Sequence, residues 1–523
     1  MRRQPMVTSH SYNLESHPGR LLIDHLKSVG DRVEEILSSK SFTEDAFKSM
    51  GYLYGVCHDF AKSTTFFQKY LRDPKHRRTI LSRHGLTSAV FTYLAALHMS
   101  KDRKYAVHGY LTIVHHHGNL KNFIGVGGEQ DTLYDSENME LILRQAKDIL
   151  SNNLQKVEEI YGILLPTLPV AEIIHSMSEK ETLERTLKDI RNDIDELAEK
   201  NMLENYVDEI LFFSTINDSD KLHASRTEIP SRCKIPENLI TEYKKGFEKN
   251  NINRFRSEAC DEALNTLGTK TNLNQVFTLT LPTGMGKTLT GLEVALEIRR
   301  RIELEKCYTP KIIYSLPFLS IIEQSAEIIE DMLLKNMDAT QRDEIPSNLF
   351  LKHHHLTEDI YSTENMEWEE DGSDLLTTAW YSELVVTTFH QLFHTLITNK
   401  NRMSRKFHNI LDSVIILDEI QALPYRYWRL FEEIILMLVD KYGCSVILMT
   451  ATQPLLFQGK STELMKDTRK YYHNLDRVEY RFNPEEIDVN EYARDILPQK
   501  VACGESMMFV VNTIKSSNML YNA

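Results

Sequence analysis

A short glycine-containing loop constrains the fold of this 523-residue chain more than any other feature. The loop follows the apolar run Val276–Leu281 directly, and a helix-forming segment continues after it to Arg300. Glycines let the backbone approach phosphate oxygens without a Cβ, and the N–H groups at the start of a helix attract anions. The pattern therefore predicts a strand, a phosphate-binding loop and a helix in succession, as in an α/β domain.

Two acidic residues complete a predicted nucleotide site. Asp418 and Glu419 close the apolar run Val414–Leu417, which predicts that both carboxylates lie at the end of a buried strand. In P-loop NTPases the first acid holds Mg²⁺ and the second polarises the attacking water, while the loop lysine, here Lys287, reaches the phosphates. We therefore predict ATP and Mg²⁺ as cofactors and Glu419 as a catalytic residue. The predicted ATP-binding residues are Pro282, Thr283, Gly284, Met285, Gly286, Lys287, Thr288, Asp418 and Glu419.

Short β-rich runs alternate with helix-forming segments after residue 240. Near-continuous apolar runs of this kind predict a parallel sheet that helices cover on both faces. We predict a RecA-like α/β domain over residues 241–490 and the beginning of a second RecA-like domain over residues 491–523. The predicted strands are Val276–Leu281, Lys311–Leu316, Leu384–Thr388, Val414–Leu417, Val446–Thr450 and Met507–Val511.

Three segments at predicted strand ends resemble motifs of superfamily 2 helicases. Thr450–Thr452 resembles the Ser/Thr-Ala-Thr coupling motif. Leu316–Phe318 and Val385–Phe393 resemble the segments that grip single-stranded nucleic acid, where hydroxyl and N–H groups contact phosphates. We predict DNA contacts for Thr387 and Thr388. An ordinary strand-to-helix turn is the alternative for each of these segments.

The first 225 residues have a different character and contain most of the histidines. Apolar residues recur at helical spacing in Leu21–Val29, and two charged amphipathic stretches cover Met139–Ile163 and Glu179–Phe213. We predict an all-α domain over residues 1–225. A linker is predicted over residues 226–240, where prolines interrupt a polar sequence without periodicity.

The dipeptide His58-Asp59 is the centre of a predicted metal site in this helical region. Imidazoles and carboxylates together suit divalent transition metals such as Mn²⁺, Ni²⁺, Co²⁺ or Fe²⁺. Two ions that share a carboxylate can activate a water and hold both oxygens of a phosphodiester displacement. Asp59 and Lys62 are the predicted catalytic residues, and Lys62 would steady the scissile phosphate. Further candidate ligands flank the dipeptide: His25, His84, His116, His117 and Asp220.

Two of these assignments have competitors in the sequence. His17 competes with His25, which we prefer because apolar neighbours give its helix a buried face that can fix the ring. Asp218 competes with Asp220, and Asp220 is preferred.

Other histidines have structural alternatives. An ordinary helix histidine is the alternative for His84, and a solvated loop is the alternative for the run His115–His117. The run His353–His355 lies in the α/β segment, away from the candidate ligands, and is predicted to be structural.

The composition does not indicate a globally basic or a membrane-spanning protein. The net charge is −14 and the isoelectric point is about 5.8, and basic clusters such as Arg299–Arg301 are typical of a charged helix face. No apolar stretch approaches the ~20 residues that span a bilayer. The 6 cysteines form no CxxC pair, as expected in a reducing compartment. We predict a cytoplasmic protein with no membrane partner.

In their order along the chain, these motifs resemble those of the CRISPR-associated helicase–nucleases of type I systems, which place an HD nuclease domain before a superfamily 2 motor. The segments that carry the resemblance are His58–Lys62, Phe67–Leu71, His116–Gly118, Leu281–Thr288, Leu316–Gln324, Val385–Phe393 and Asp418–Gln421. The resemblance implies ATP-dependent 3′–5′ movement along single-stranded DNA, metal-dependent degradation of that DNA, and recruitment by an RNA-guided CRISPR surveillance complex in antiviral defence. The residues that it assigns to the nuclease metals are His25, His58, Asp59, His84, His116, His117 and Asp220.

The resemblance departs from the family pattern near the end of the sequence. Met508–Thr513 resembles the opening strand and first motif of a second RecA-like domain, and the sequence ends at Ala523. Relatives keep an arginine finger beyond that point, and such a residue is worth about 10³–10⁵ in rate. We therefore expect this polypeptide to bind nucleotide weakly and not to translocate alone, while its nuclease works.

Two other functions remain open from the residues. An HD phosphohydrolase that acts on nucleotides would close a deep pocket over its substrate, whereas a nuclease needs an open groove. An inactive DNA-binding or docking fragment would tolerate the loss of Asp59 without any effect on activity.

Overall fold

The computed structural model divides the chain into two compact units, Met1–Tyr471 and Tyr472–Ala523. The residues that the structure describes are 14–73, 79–124, 128–129, 133, 135–306, 308–337, 345–354, 361–363, 366–367, 370–452, 456–473, 482, 484, 487–502 and 508–522.

The described residues of the first unit up to residue 225 are mainly helical, as predicted. A short antiparallel hairpin of β1 (Glu15–His17) and β2 (Arg20–Leu21) precedes the helices. The helices are α1 (Leu22–Ser38), α2 (Asp45–Cys57), α3 (Thr65–Arg72), α4 (Gly85–Ser100), α5 (Arg103–His115), α6 (Ser136–Asn152), α7 (Leu154–Leu164), α8 (Val170–Ser178), α9 (Lys180–Glu199) and α10 (Met202–Ser225). The first of the two long amphipathic stretches predicted above forms the helices α6 and α7, and the second forms α9 and the first half of α10.

Glycines allow α1 and α2 to pack very closely. A Cβ built on Gly55 in α2 would lie 2.6 Å from the Cα of Gly30 in α1, so Gly55 tolerates no side chain without movement of the backbone. The face of α1 that includes Leu26 is buried, as its helical spacing predicts. The close contact brings His25 of α1 beside His58, which follows the last residue of α2.

A parallel sheet of seven strands forms the second part of the first unit. The strands of this part, which include the separate pair β6 and β7, are β3 (Val276–Thr280), β4 (Ile312–Leu316), β5 (Phe350–His353), β6 (Ser362–Thr363), β7 (Met366–Glu367), β8 (Leu384–Thr388), β9 (Val414–Asp418), β10 (Ser445–Thr450) and β11 (Ser461–Glu463). The spatial order is β11-β3-β10-β9-β4-β8-β5, and β6 and β7 pair separately. Every position of β3, β4, β8, β9 and β10 is buried, which explains their continuous apolar runs.

Helices accompany the sheet, so the predicted α/β organisation is confirmed. Residues 227–236 of the predicted linker have no regular secondary structure. One continuous buried apolar cluster includes residues of both parts of the first unit. The helices are α11 (Leu239–Lys244), α12 (Asn251–Gly268), α13 (Lys287–Lys306), α14 (Leu319–Asn336), α15 (Glu370–Ala379), α16 (Phe389–Leu396), α17 (Asn401–Ser404), α18 (Phe407–Ile410), α19 (Trp428–Lys441) and α20 (Thr468–His473).

The second unit contains short helical segments in the residues that the structure describes. They are α21 (Val489–Glu491), a π-helical turn (Tyr492–Ile496), α22 (Leu497–Ala502) and α23 (Ile514–Asn522). The strand predicted at Met507–Val511 is wrong for residues 508–511, which have no regular secondary structure; Met507 lies outside the described residues. A parallel strand needs a hydrogen-bonding neighbour, and no described residue of this unit lies in a strand. Met508 and Val510 are accordingly 86% and 83% exposed.

Among the described helices, none combines the length and the apolar character that crossing a membrane requires.

Candidate metal centre and nucleotide site

Five elements of the helical part bring the candidate metal ligands to one place. The side chains form two groups, and the ligand atoms of each group lie within 4.8 Å of one another. The side chains are His25 of α1, His58 and Asp59 after α2, His84 before α4, His116 and His117 after α5, and Asp220 of α10.

The first group consists of His25, His58, Asp59 and Asp220, which are all buried. His25 Nε2 lies 3.1 Å from Asp59 Oδ2 and 3.3 Å from Asp220 Oδ1. His58 Nε2 lies 3.2 Å from His25 Nε2 and 3.3 Å from Asp59 Oδ2. Imidazole nitrogens and carboxylate oxygens therefore face one common space.

The second group consists of Asp59, His84, His116 and His117. Asp59 uses its other oxygen here: Oδ1 lies 3.1 Å from His84 Nε2 and 3.6 Å from His116 Nε2. The Nε2 atoms of His84 and His117 lie 2.6 Å apart. Asp59 is the member that both groups share, so its two oxygens face two neighbouring ligand sets. A carboxylate in this position can bridge two cations.

Ring orientations and unpaired atoms fit a pair of divalent cations. His58 Nδ1 donates to Gly55 O at 2.7 Å and His116 Nδ1 donates to Ile113 O at 2.6 Å, so the Nε2 atom of each ring faces the cluster. Asp59 Oδ1 and His116 Nε2 are buried without a hydrogen-bond partner. An unsatisfied buried polar group costs about 1–3 kcal/mol, which a coordinated cation would offset. This mixture of nitrogen and oxygen donors suits a transition metal.

Electrostatics within the cluster favour bound positive charge. Burial disfavours the charged form of Asp59, but Lys62 and the neighbouring histidines hold its pKa well below the usual value. Burial also disfavours protonated His58, yet the carboxylates of Asp59 and Asp220 raise its pKa to about 10. Burial lowers the pKa of His84 to about 4. Burial disfavours the charged form of Asp220 too, but hydrogen bonds with His25 and His58 hold its pKa well below the usual value. Both aspartates are therefore ionised at neutral pH, and His58 binds a proton in the absence of another cation.

Lys62 lies inside the cluster. Its Nζ atom lies 2.6 Å from Asp59 Oδ2, and only 5% of its side chain is exposed. In this structure the lysine predicted to steady a phosphate pairs with the shared carboxylate.

Asp220, and not Asp218, faces the cluster. Asp218 points to the sheet part, where it accepts hydrogen bonds from Tyr381 and, at 3.2 Å, from Arg405 Nη2. Residues two apart on a helix face different directions, which separates the two carboxylates.

The neighbouring histidines lie around the cluster. His17 contacts the edge of His25 with ring centroids 5.1 Å apart, and His115 pairs with Glu129 at 2.9 Å. His223 was not among the predicted residues, and its Nδ1 lies 2.9 Å from Nδ1 of His25. Its position three residues after Asp220 in α10 was the available signal, because such residues share a helix face.

The loop after β3 has the backbone geometry that phosphate binding requires. Gly284 and Gly286 have φ values of 85° and 77°, which glycine adopts readily. Lys287 Nζ lies 2.6 Å from Glu419 Oε1. The loop lysine and the second acid of the strand-end pair therefore meet across the carboxyl edge of the sheet, where β10 separates β3 from β9.

Asp418 and Glu419 are held in different ways at the end of β9. Asp418 Oδ2 accepts a hydrogen bond from Tyr314 at 2.9 Å, while its Oδ1 is buried without a partner. Burial raises the pKa of Asp418 to about 6. Glu419 has a left-handed φ of 54°, and its N–H donates to Met449 O at 2.9 Å. Such a conformation costs about 1–3 kcal/mol and often occurs at functional sites. The unpaired Oδ1 of Asp418 is suited to bind Mg²⁺.

A cavity beside the loop was not foreseen from the sequence. It has a volume of about 720 Å³ and its lining includes Phe247, Arg256, Gly286 and Leu289. The Arg256 guanidinium donates to Gly284 O through Nε at 3.0 Å and Nη2 at 2.8 Å. A residue of α12 thus supports the glycine loop from the cavity side.

The structure does not support a DNA contact for the Thr387 hydroxyl, because this residue is fully buried and donates to His353 O at 2.8 Å. Thr388 Oγ1 accepts from Gln391 N at 3.0 Å and thereby caps α16. The predicted DNA contact of Thr387 is therefore wrong, because a side chain that is buried within the β-sheet cannot reach a DNA strand at the surface.

The histidines of the sheet part make local contacts. Trp380 Nε1 donates to His353 Nδ1 at 2.8 Å, and His354 Nε2 lies 3.0 Å from Glu323 Oε1. His355 lies outside the described residues.

Comparisons with known proteins agree with this arrangement. The DEAD/DEAH box helicase family matches residues 258–457. The CRISPR-associated nuclease/helicase Cas3 of Haloferax volcanii is 26% identical over 537 residues, which cover 88% of this chain and 56% of that relative. Crystal structures of T. fusca Cas3 and T. fusca Cas3-ATP share the fold at TM-scores of 0.50 each, with 13% and 12% identity. These matches cover 92% and 91% of this chain, and 53% of each of those chains.

The chain therefore spans about half the length of the relatives that it matches. Its helical part with the candidate metal centre precedes a parallel sheet with the phosphate loop, in the order that the sequence motifs predicted. Together, the motif order, the sequence similarity and the shared fold make this chain similar to the CRISPR-associated nuclease/helicase Cas3, with a DEAD/DEAH box helicase match in its sheet part.

Proposed function

We propose that this chain cuts single-stranded DNA with two divalent metal ions and carries the nucleotide site of an ATP-dependent DNA motor. The observation that carries the nuclease assignment is the position of Asp59, which belongs to both ligand groups. When bound, a pair of bridged ions would supply an activated water and stabilise both oxygens of a phosphodiester displacement. The proposed ligands are His25, His58, Asp59, His84, His116, His117 and Asp220.

The side chains around the centre would prepare this reaction. The bonds from the Nδ1 atoms of His58 and His116 to backbone carbonyls hold both rings with Nε2 towards the ions. The low pKa of Asp59 keeps its carboxylate ionised. Once cations neutralise Asp59, the Lys62 ammonium, now 2.6 Å away, would be free to turn to a substrate phosphate. We therefore propose Asp59 and Lys62 as catalytic residues.

The nucleotide site is proposed to bind ATP with Mg²⁺. Lys287 would contact the phosphates, Asp418 would hold Mg²⁺, and Glu419 would polarise the attacking water. The DEAD/DEAH box match over residues 258–457 and the unpaired Asp418 Oδ1 support this assignment. Phosphate binding would replace the ion pair between Lys287 and Glu419, so the carboxylate of Glu419 would become available when nucleotide arrives.

The nucleotide site allows a test of the arginine that supports the loop. In Arg256→Ala, the Gly284 carbonyl loses its two guanidinium bonds. A net hydrogen bond is worth about 0.5–1.5 kcal/mol, so we expect ATP to bind about 3–10-fold more weakly. Titration with a fluorescent ATP analogue measures the effect. Arg300→Ala is the matched control, because Arg300 pairs only with Glu297 among the contacts of the described residues and lies on the exposed side of α13. Equal affinities for the two variants would contradict this role.

The biological context is part of the same proposal. The name of one relative, a CRISPR-associated nuclease/helicase, supports an association with CRISPR. The resemblance of the motifs adds the proposals of a role in antiviral defence, a displaced single strand as substrate and an RNA-guided surveillance complex as partner. The 3′–5′ direction and the cytoplasmic location stay predictions, and so does the recruiting complex.

Cleavage of circular single-stranded DNA tests the proposed function. With Mn²⁺ or Ni²⁺ and no ATP, we expect the circle to be opened and then degraded, and we expect a chelator to abolish the reaction. A nucleotide phosphohydrolase would leave the circle intact and release phosphate from free nucleotides. An inactive docking fragment would do neither, and either of these results would refute the nuclease assignment.

A further inference from the structure

One segment of the sheet part contacts the loop that carries His116 and His117. We name residues 399–408 the bridging segment. In the sequence it lies between the end of β8 at Thr388 and the start of β9 at Val414. Leu120 N donates to Asn399 O at 2.9 Å and Asn399 Nδ2 donates to Leu120 O at 3.0 Å. The bridging segment therefore holds the loop after α5 by backbone as well as side-chain bonds.

The side chain of Asn401 joins the two ligand-bearing elements. Its Nδ2 donates to His116 O at 2.9 Å and to Asn217 Oδ1 at 2.7 Å. His116 belongs to the second ligand group, whereas Asn217 lies in α10 three residues before Asp220 of the first group. A single amide thus spans the elements that supply ligands to both groups.

The rest of the bridging segment contacts α10 before and after Asn217. Ser214 Oγ donates to Arg405 O at 3.0 Å and accepts from His408 N at 3.2 Å. Arg405 is 2% exposed, and its Nη2 lies 3.2 Å from Asp218 Oδ1. Because these contacts lie on either side of Asn217, the last turns of α10 cannot shift without disturbing the bridging segment.

We propose that Asn401 is a positioning residue that sets the separation of the two metal ions at the centre. The inference rests on the proposed two-metal function. Two-metal catalysis requires ions about 3.5–4 Å apart, and here the ligands of the two groups come from separate elements that meet through this amide. The sheet part of the chain is therefore a component of the nuclease centre, although it supplies none of the proposed ligands.

Mn²⁺ binding by the full chain tests this inference independently of cleavage. Two Mn²⁺ ions bridged by a carboxylate give an exchange-coupled electron paramagnetic resonance spectrum. In Asn401→Ala we expect one of the two ions to bind about 10–100-fold more weakly, the usual effect of losing an outer partner of a ligand, and the coupled spectrum to disappear. For circle cleavage, kcat should fall while KM for DNA stays unchanged, because Asn401 contacts ligand-bearing elements and not the substrate path.

Two further variants make the result decisive. Asn217→Ala removes the acceptor on α10 and should likewise weaken the binding of one ion and abolish the coupled spectrum. It tests the inference even if Asn401→Ala does not fold. Asn348→Ala removes a different amide, which donates to Ser231 O at 2.9 Å away from the centre, and should leave both ions coupled. Coupled, tightly bound ion pairs in both Asn401→Ala and Asn217→Ala would overturn the inference and leave the proposed function intact. Absence of a coupled pair in the unsubstituted chain would overturn both.

Discussion

Replacement of Asp59 by asparagine is expected to lower the rate of circle cleavage by about 10³-fold or more. The side chain keeps its shape, but it loses the charge that both ligand groups share. Metal ions contribute several kcal/mol of charge stabilisation in the transition state, and each 1.36 kcal/mol is about tenfold in rate. The rate is measured as the disappearance of closed circles in the presence of saturating Mn²⁺.

A matched variant separates the loss of a metal ligand from the loss of any buried carboxylate. Asp193 is also buried in the helical part, where it accepts hydrogen bonds from Tyr93 at 2.6 Å and Arg103 at 2.7 Å. Asp193→Asn should therefore lower the stability of the fold without a large effect on cleavage. Saturating Mn²⁺, at about 100 times its Kd, should stabilise this variant against unfolding by about 2.7 kcal/mol, but not Asp59→Asn. Rapid cleavage by Asp59→Asn would refute the bridged centre.

Replacement of Lys287 by alanine is expected to abolish ATP hydrolysis and to weaken nucleotide binding by about 10–150-fold. Hydrogen bonds to charged groups contribute about 1.5–3 kcal/mol, and this lysine is the cation of the phosphate loop, now 2.6 Å from Glu419. The ratio of affinities follows from about 1.4 kcal/mol per factor of ten. Titration of a fluorescent ATP analogue and release of inorganic phosphate measure the two effects.

The same variant distinguishes the two sites. Lys287→Ala should open circular DNA with Mn²⁺ at the unsubstituted rate when ATP is absent, because Lys287 is not among the side chains of the metal centre. Lys306→Ala, at the other end of the same helix, is the control for loss of a lysine from α13. Undiminished ATP affinity in Lys287→Ala, or equal losses in both variants, would exclude the assigned phosphate contact.

Local patterns in the sequence predicted the five fully buried strands of the sheet but not the outer strands β5 and β11. Buried parallel strands have apolar side chains on both faces, so β3, β4, β8, β9 and β10 were visible as continuous apolar runs. The prediction of a strand at residues 508–511 was wrong, because this apolar run has no neighbouring strand among the described residues of its unit. An apolar run indicates a strand only where neighbouring strands supply hydrogen bonds, and such neighbours are not a local property of the sequence.

Prediction of the candidate metal centre required the order of the motifs along the chain as well as the residue types. Residue types alone left His17 and Asp218 as competitors, because the orientation of β1 for His17 and of α10 for Asp218 decides where each side chain points. The buried hydroxyl of Thr387 was assigned to DNA because its burial inside the sheet has no signature in the strand-end motif. The contacts of Asn401 and His223 depend on the packing of α10 against distant segments, and no short pattern records that packing.

The chain order of the ligands has a consequence for protein synthesis in the cell. His58 and Asp59 leave the ribosome early, but Asp220 follows Asp59 by 161 residues and Asn401 comes later still. At a translation speed of about 5–20 residues per second, the first ligand group stays incomplete for about 10–30 s after Asp59 is made. Under the proposed function, a nascent polypeptide would therefore have no complete first ligand group during this interval, and DNA cleavage would begin only after α10 has been made.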